Sequence, residues 1–515
     1  MPLLDLRRPA GGSRGVRPGG ATAASTPADG RRSRRPARRR TAIGTGRARL
    51  VGRPTVSGSE DVMRFLDERL GAGRAVRFVL DYVFPDHWSF LLGEIALYSF
   101  VVLVATGTFL ALFFTPDTAP LIYHGSYAPL RGAQISAAYD STVRLSYDVK
   151  GGLLMRQTHH WAALVFVAAV TVHLLRIIFT GAFRKPREIN YVIGVTMLAL
   201  AMLEGFAGYS LPDDLLSGMG LAIAWSVAMS IPLVGGPFAT ALWGGRFPGT
   251  SVFESRLFIA HVFVIPVLLA ALITIHLAMI MIQRHTQFPG SGRREDNVVG
   301  TPLWPSYALR SLGLFASVAA VLVAMGGLVQ INPVWLWGPY HLYVGTNGAQ
   351  PDWYLGWLIG ALRMMPNLEI HVFGHTLVPN PFFGGVLFPS VVFMVLYAVP
   401  WIDRRFISRE AAPHHLLDRP RDNPLRTALA AAGFSAVAVV FAAGSADRLF
   451  FQFGFGYEGA IWFFRGAFLV APVVVFVLTR MICVELRRSG RHPLRGWSGS
   501  VLARTRRGGF QTIDR

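Results

Sequence analysis

The chain has 515 residues, 52% of them apolar and 15% charged, with a mean hydropathy of +0.41 and a formal net charge of +21. That balance excludes an ordinary set of water-soluble domains and makes a polytopic membrane protein the expected class. The basic residues sit in the tails and in short loops between apolar runs, a placement that argues for membrane topology and against nucleic acid as a partner. The single cysteine, Cys483, excludes a disulfide framework, a zinc ribbon and an iron–sulfur cluster held by this chain's own thiolates, so redox chemistry here needs another kind of ligand.

Residues 1–53 are mostly Arg, Gly, Pro, Ser and Ala, with almost no large apolar side chains after Leu6. They cannot bury enough surface to offset ordering entropy and are expected to form a disordered basic arm. A signal peptide would need an apolar core segment that is missing, so the arm is read as a cytoplasmic tail. From Trp88 onward come eight apolar runs: approximately Trp88 to Phe114, Thr158 to Phe179, Tyr191 to Leu211, Val252 to Ile282, Ala308 to Ile331, Phe383 to Ile402, Leu425 to Ala443 and Ile461 to Val484. Each is near the length of about 20 residues that a bilayer demands of a helix. Arg-rich connections at Arg176 to Arg187, Arg284 to Arg294, Arg404 to Arg426 and after Arg480 put every second loop, and both termini, on the cytoplasmic side. A ninth apolar stretch, Leu215 to Val234, contains Gly218, Gly220, Ser217, Ser226, Ser230 and Pro232. Counting it as a span would put Arg284 to Arg294 outside, so it is placed as a helical hairpin on the outer surface.

The expected fold class is therefore all-α, a polytopic bundle of eight transmembrane helices. Its parts are a basic arm and amphipathic lead-in over residues 1–77, a four-helix core with the surface hairpin over 78–300, a C-terminal four-helix part over 301–485 and a basic cytoplasmic tail over 486–515. The outer loops Thr115 to Gln157 and Asn332 to Phe382 have the length of loops that carry function.

Five of the fourteen histidines fall within spans: His159, His160 and His173 on the second, His261 and His276 on the fourth. An ionisable side chain at membrane depth is a functional candidate by default. At about 100° per residue, the 14-residue step from His159 to His173 returns to within roughly 40° of the same face, and the 15-residue step from His261 to His276 to within roughly 60°. His160 points about 140° away from His173 and is expected to be a hydrogen-bonded histidine outside the pairs. Each pair is separated by roughly 21 to 22 Å along its helix, most of the hydrocarbon thickness. Both spans run from outside to inside, so His159 and His261 share an outer level, His173 and His276 an inner one. Two stacked bis-histidine sites in a four-helix core are what two b-type haems need if electrons are to cross a bilayer. The bland reading of one such histidine is a satisfied polar residue in a bundle; four at matched spacings argue against it. The levels are too far apart for one metal centre. A proton relay would be expected to include carboxylates between the paired histidines, and neither span has one.

Gly93 and Gly107 on the first span, and Gly194 and Gly208 on the third, repeat the 14-residue period. Glycine in membrane helices most often serves packing. The matched period adds a sharper expectation: a residue without a side chain lets a flat macrocycle approach the backbone at each level. Arg156, three residues before His159, and Arg176, three after His173, lie on the same helical faces and on the water side of each level. There a guanidinium pairs with haem propionates or snorkels at the helix end.

The four histidines do not stand alone. Gly181-Ala182-Phe183-Arg184-Lys185-Pro186-Arg187-Glu188 follows the second span, Gly208-Tyr209-Ser210-Leu211-Pro212 ends the third, and Pro351-Asp352-Trp353-Tyr354 lies in the outer loop before the sixth. Together these resemble the cytochrome b subunit of cytochrome bc-type quinol oxidoreductases, especially the actinobacterial form, over about Phe78 to Glu485. The resemblance implies that His159 and His261 ligate a low-potential haem and His173 and His276 a high-potential one. It implies that Arg256, in the stretch Arg256 to His261 with Pro266 beyond, supports a haem propionate. Pro351 to Tyr354 looks like the edge of an outer quinol-oxidation pocket, where the Asp352 carboxylate takes a quinol proton as general base and Tyr354 and Ser217 to Ser226 line the wall. Family members commonly carry Glu, one methylene longer, in place of Asp352.

The implied function is that of the di-haem cytochrome b subunit of a respiratory bc complex running a Q cycle. Quinol is oxidised near the outer surface, one electron goes to a Rieske iron–sulfur subunit, and the other crosses to quinone near the inner surface, contributing to the proton gradient. A cytochrome c-type subunit is a further implied partner, within a dimeric complex of the bacterial cell membrane that a terminal oxidase joins. The 15-residue spacing on the fourth span resembles the menaquinol-using branches, so menaquinol is the expected substrate. No cysteine lies near the first span, and a covalently attached third haem is not expected. Arg284 and His285 are candidates for the inner quinone site by position alone. The alternative is a haem-bearing membrane anchor of another respiratory dehydrogenase, which would need neither Pro351 to Tyr354 nor the surface hairpin. A secondary transporter would show inverted repeats around a midplane site, and this sequence shows no such repeat.

Overall fold

The computed structural model describes residues 82–344, 350–454 and 456–489, separate positions between 65 and 73, and two short strands at 501–504 and 510–513. The basic arm expected over residues 1–53 and the boundary expected near residue 77 lie outside the described residues.

Among the described residues, eight helices are long and apolar enough to cross a bilayer. In chain order, with shorter helices between them, the elements are α1 (Leu91–Ala111), α2 (Ala137–Tyr147), α3 (Gly152–Thr180), α4 (Glu188–Ser210), α5 (Leu215–Met229), α6 (Gly235–Trp243), α7 (Val252–Gln283), α8 (Leu303–Leu328), α9 (Gly356–Met364), α10 (Phe383–Ile407), α11 (Pro424–Ala443), α12 (Ala446–Phe453) and α13 (Tyr457–Arg488). Every expected span has its helix. Several helices run past the apolar run that announced them: α3 begins at Gly152 rather than near Thr158, its first turns packed on α2 and tied to the outer loop by Arg156, which donates to the Asn332 carbonyl. Gly181 ends it in the left-handed region at φ 64°, its N–H reaching the carbonyls of Ile177 and Ile178, a closure that glycine permits without strain.

The ninth apolar stretch, expected to hold a whole hairpin, forms only its first arm, and the returning arm lies beyond it at Gly235–Trp243. α5 is capped by Asp214, whose carboxylate accepts from Ser217 N, and it stops before Pro232; α6 returns after it. Strands among the described residues are confined to four two-stranded antiparallel ladders: β1 (Val83–Phe84) with β4 (Thr301–Pro302), β2 (Pro120–Ile122) with β3 (Gln134–Ser136), β5 (Ile370–Val372) with β6 (His375–Val378), and β7 (Val501–Arg504) with β8 (Phe510–Ile513).

α1 packs along α3, α3 against α4 and α4 against α7, and the ring closes where a π turn of α7, Ala260–Val264, meets α1. α8 leans on α1 and α3 from outside. In the C-terminal part α11 packs on both α13 and α9. Backbones touch there: a Cβ on Gly360 would sit 1.8 Å from the Val440 carbonyl oxygen. Outward faces stay apolar, as with Leu469, Val470, Val473 and Val474 of α13, which suits lipid and not water. Charge gathers at the helix ends. Near the end of α3, Arg426 donates to the buried Asp403 at 2.7 Å and also to Asp418, which Arg184 reaches at 3.1 Å. Such multiple pairing is the condition under which a buried ion pair is tolerated.

Candidate functional site

His159 of α3 and His261 of α7 face each other across the four-helix core, ring centroids 6.2 Å apart and planes at 86°. One metal ion bonded to both rings at about 2 Å fits between them. Neighbouring groups settle which nitrogen is free. The Thr106 hydroxyl donates to the Val102 carbonyl at 2.7 Å, so it accepts from His159 Nδ1, 2.9 Å away. His261 Nδ1 lies 3.2 Å from the Glu204 carbonyl and 3.0 Å from its Oε1, both acceptors. With Nδ1 donating in both rings, each Nε2 keeps its lone pair for a metal. Glu204 was not singled out from the sequence; the signal was an acidic residue inside an apolar span, four before Gly208.

His173 and His276 form the second level. His173 Nδ1 has no hydrogen-bond partner among the described residues. Each of the four period-14 glycines faces one histidine: a Cβ on Gly107 would lie 3.1 Å from His159 Cε1, on Gly208 2.4 Å from His261 Cε1, on Gly93 3.2 Å from His173 Cε1 and on Gly194 4.0 Å from His276 Cε1. The uneven histidine spacing has a structural cause. His261 sits in the π turn Ala260–Val264, which takes up one extra residue, so the 15-residue step on α7 acts as the 14-residue step on α3 does.

Arg156 is buried and donates to the Asn332 carbonyl at 2.9 Å, while its Nε has no partner among the described residues. Arg176 lies 4.3 Å over the Phe90 ring with its Nε and one terminal nitrogen likewise unpartnered. Orphaned guanidinium donors at both levels suit an anionic ligand. Arg256 is exposed and donates to the Ala241 carbonyl at 2.9 Å, at the end of α6.

A cavity of about 250 Å³ opens at the first level, and its walls include Gly107, Arg156, His159, Gly208 and His261 together with His160, Asp352 and Tyr354. His160 is hydrogen-bonded, as its angle predicts, and its partner is Asp352: Nε2 lies 2.7 Å from Oδ1, while the Tyr354 hydroxyl donates to Oδ2 at 3.1 Å. Burial and the adjacent Asp352 carboxylate push the Tyr354 phenol well above its usual range, so it keeps its proton and stays a donor. Residues 217–226 contribute nothing to the cavity wall; Gly218 packs on the Tyr340 ring instead. At the far level Arg284 and His285 part. Arg284 is exposed, while His285 turns in among Tyr82, Phe84 and Phe90, its imidazole pushed down to about 3 by burial and by Arg176 and Arg187.

Fold and site define a class, a polytopic membrane protein with two superposed histidine levels inside a four-helix core. A family model described as cytochrome b (N-terminal)/b6/petB matches residues 164–339. The chain is similar to the cytochrome bc1 complex cytochrome b subunits of Streptomyces coelicolor (43% identity over 88% of this chain and 82% of the relative), Mycobacterium bovis (45%, 89% and 83%) and Corynebacterium efficiens (42%, 86% and 82%). A solved hyperthermophilic respiratory Complex III shares the fold with a TM-score of 0.57 at 20% identity, over 81% of this chain and 99% of that one. The chain belongs to the cytochrome b subunits of bc1-type complexes, as its sequence motifs imply, and membership implies that it binds haem b.

Proposed function

We propose that this chain holds two b-type haems, each between two histidines, and serves as the membrane electron-transfer subunit of a menaquinol–cytochrome c reductase. The observation that carries this reading is the facing of His159 and His261 at 6.2 Å with Gly107 and Gly208 against their edges. His159 and His261 are assigned to the outer haem, His173 and His276 to the inner. Gly93, Gly107, Gly194 and Gly208 leave room for the macrocycles, and the orphaned donors of Arg156 and Arg176 take propionates. Bound haem supplies reversible one-electron chemistry at each level. The Arg-rich loops mark the inner side, which leaves both termini in the cytoplasm of a bacterial cell.

Quinol oxidation is assigned to the side of the outer cavity lined by His160, Asp352 and Tyr354, next to the space assigned to the outer haem. Asp352 accepts the proton of a quinol hydroxyl as general base. Its carboxylate is held from both sides by His160 and Tyr354. The partners this chemistry requires are a Rieske iron–sulfur subunit and a cytochrome c-type subunit, in a dimeric complex with a terminal oxidase as a further member; quinone is reduced on the inner side. A dehydrogenase anchor gives no reason for Asp352 and Tyr354 to reach the wall of the histidine cavity. A reduced-minus-oxidised optical spectrum of the purified chain tests the reading. Two b-type haems per chain are expected, and a protein without haem would sink it.

A further inference from the structure

The two histidine levels differ in what stands behind the rings. At the first, both Nδ1 atoms are hydrogen-bonded, that of His159 to the Thr106 hydroxyl and that of His261 to the Glu204 main-chain carbonyl at 3.2 Å, with the carboxyl Oε1 of the same residue also 3.0 Å from that nitrogen. At the second, neither His173 Nδ1 nor His276 Nδ1 has a side-chain hydrogen-bond partner among the described residues; the one polar group set against His276 is the Asn190 backbone. Glu204 lies within α4, its side chain 17% exposed and its other oxygen, Oε2, without a partner. A carboxyl group at membrane depth is costly and marks function. Here it stands against the ring nitrogen that faces away from the metal position.

Resting on the assignment of His261 as a haem ligand, we propose that Glu204 is a positioning residue that sets the outer haem's potential below the inner one's. Standing 3.0 Å from the Nδ1 whose proton the Glu204 main-chain carbonyl accepts, the carboxylate adds negative charge beside that imidazole and makes it a stronger donor to iron, which favours the oxidised metal. The Thr106 hydroxyl does the same more weakly for His159, since a hydroxyl is a poorer acceptor than a carboxylate. No carboxylate pairs with His173 or His276 among the described residues, so the inner haem is the easier to reduce. The resulting order of potentials favours electron movement from the outer level to the inner.

The test is a potentiometric titration of the full-length protein with each haem followed by its visible absorbance. Glu204→Gln replaces the carboxylate by an amide of the same shape. Two haems should remain, the lower midpoint potential should rise and the higher should stay, narrowing the gap. Unmoved potentials, or equal shifts of both, with two haems present overturn the proposal. Should the variant lose a haem, the wild type gives an independent readout. Near-infrared magnetic circular dichroism reports ligand donor strength, and the lower-potential haem should carry its charge-transfer band at higher energy; coincident bands overturn the proposal. A wild type with fewer than two b-type haems refutes the underlying reading instead, and is told apart by stoichiometry alone.

Discussion

His159 and His160 are adjacent in the chain and point to different tasks, one toward His261 and the other toward Asp352. Substitution separates them. His173→Ala is expected to leave one haem of two, whereas His160→Ala should leave both and slow quinol oxidation. Losing one hydrogen bond to a catalytic carboxylate corresponds to about 1.4 kcal/mol, roughly tenfold in rate. Asp352→Asn should slow the reaction further. Haem content by pyridine haemochrome and quinol turnover on the same preparations check both claims, and haem loss in His160→Ala would mean the ligands are misregistered. The histidine pairs and facing glycines were legible because each repeats within one helix, where angle and rise follow from numbering. The partners of His160 and His261 were not: Asp352 is 192 residues from His160, and Glu204 comes from a neighbouring helix, so only packing brings them together.

The spans were legible because lipid imposes a local rule, about 20 apolar residues with their backbone bonded internally. Their irregularities were not. Around Ala260–Val264 the sequence offers only Pro266 and an uneven histidine step, neither of which specifies a π turn, yet that turn decides which way His261 faces. The claim is testable by changing the count. Deleting Val262 should let α7 continue as a regular helix with a 14-residue histidine step and keep both haems. Inserting one alanine after Val262 should rotate His261 by about 100° from its partner and remove the outer haem only. Haem stoichiometry of the two variants decides; loss in the deletion and retention in the insertion would show that the π turn is not what absorbs the extra residue.

At the scale of the whole molecule, the disposition of the +21 charge across the bilayer hangs on one element. α5 has 15 residues, which at about 1.5 Å per residue reach roughly 23 Å against a hydrocarbon core of about 30 Å, so it lies on the surface instead of crossing. If it crossed, every later loop would change sides. Ser291, in the Arg-rich loop after α7, and Thr376, on the β5–β6 ladder whose neighbour Phe373 is 97% exposed, are both solvent-accessible and lie on opposite sides of the bilayer in the proposed topology. Cys483 is buried and gives little background labelling. A membrane-impermeant maleimide applied to intact spheroplasts should therefore label Thr376→Cys directly, and Ser291→Cys only after permeabilisation. The reverse pattern would make α5 a span, turn the Arg-rich loops after it outward, and put His261 at the opposite side of the bilayer from His159.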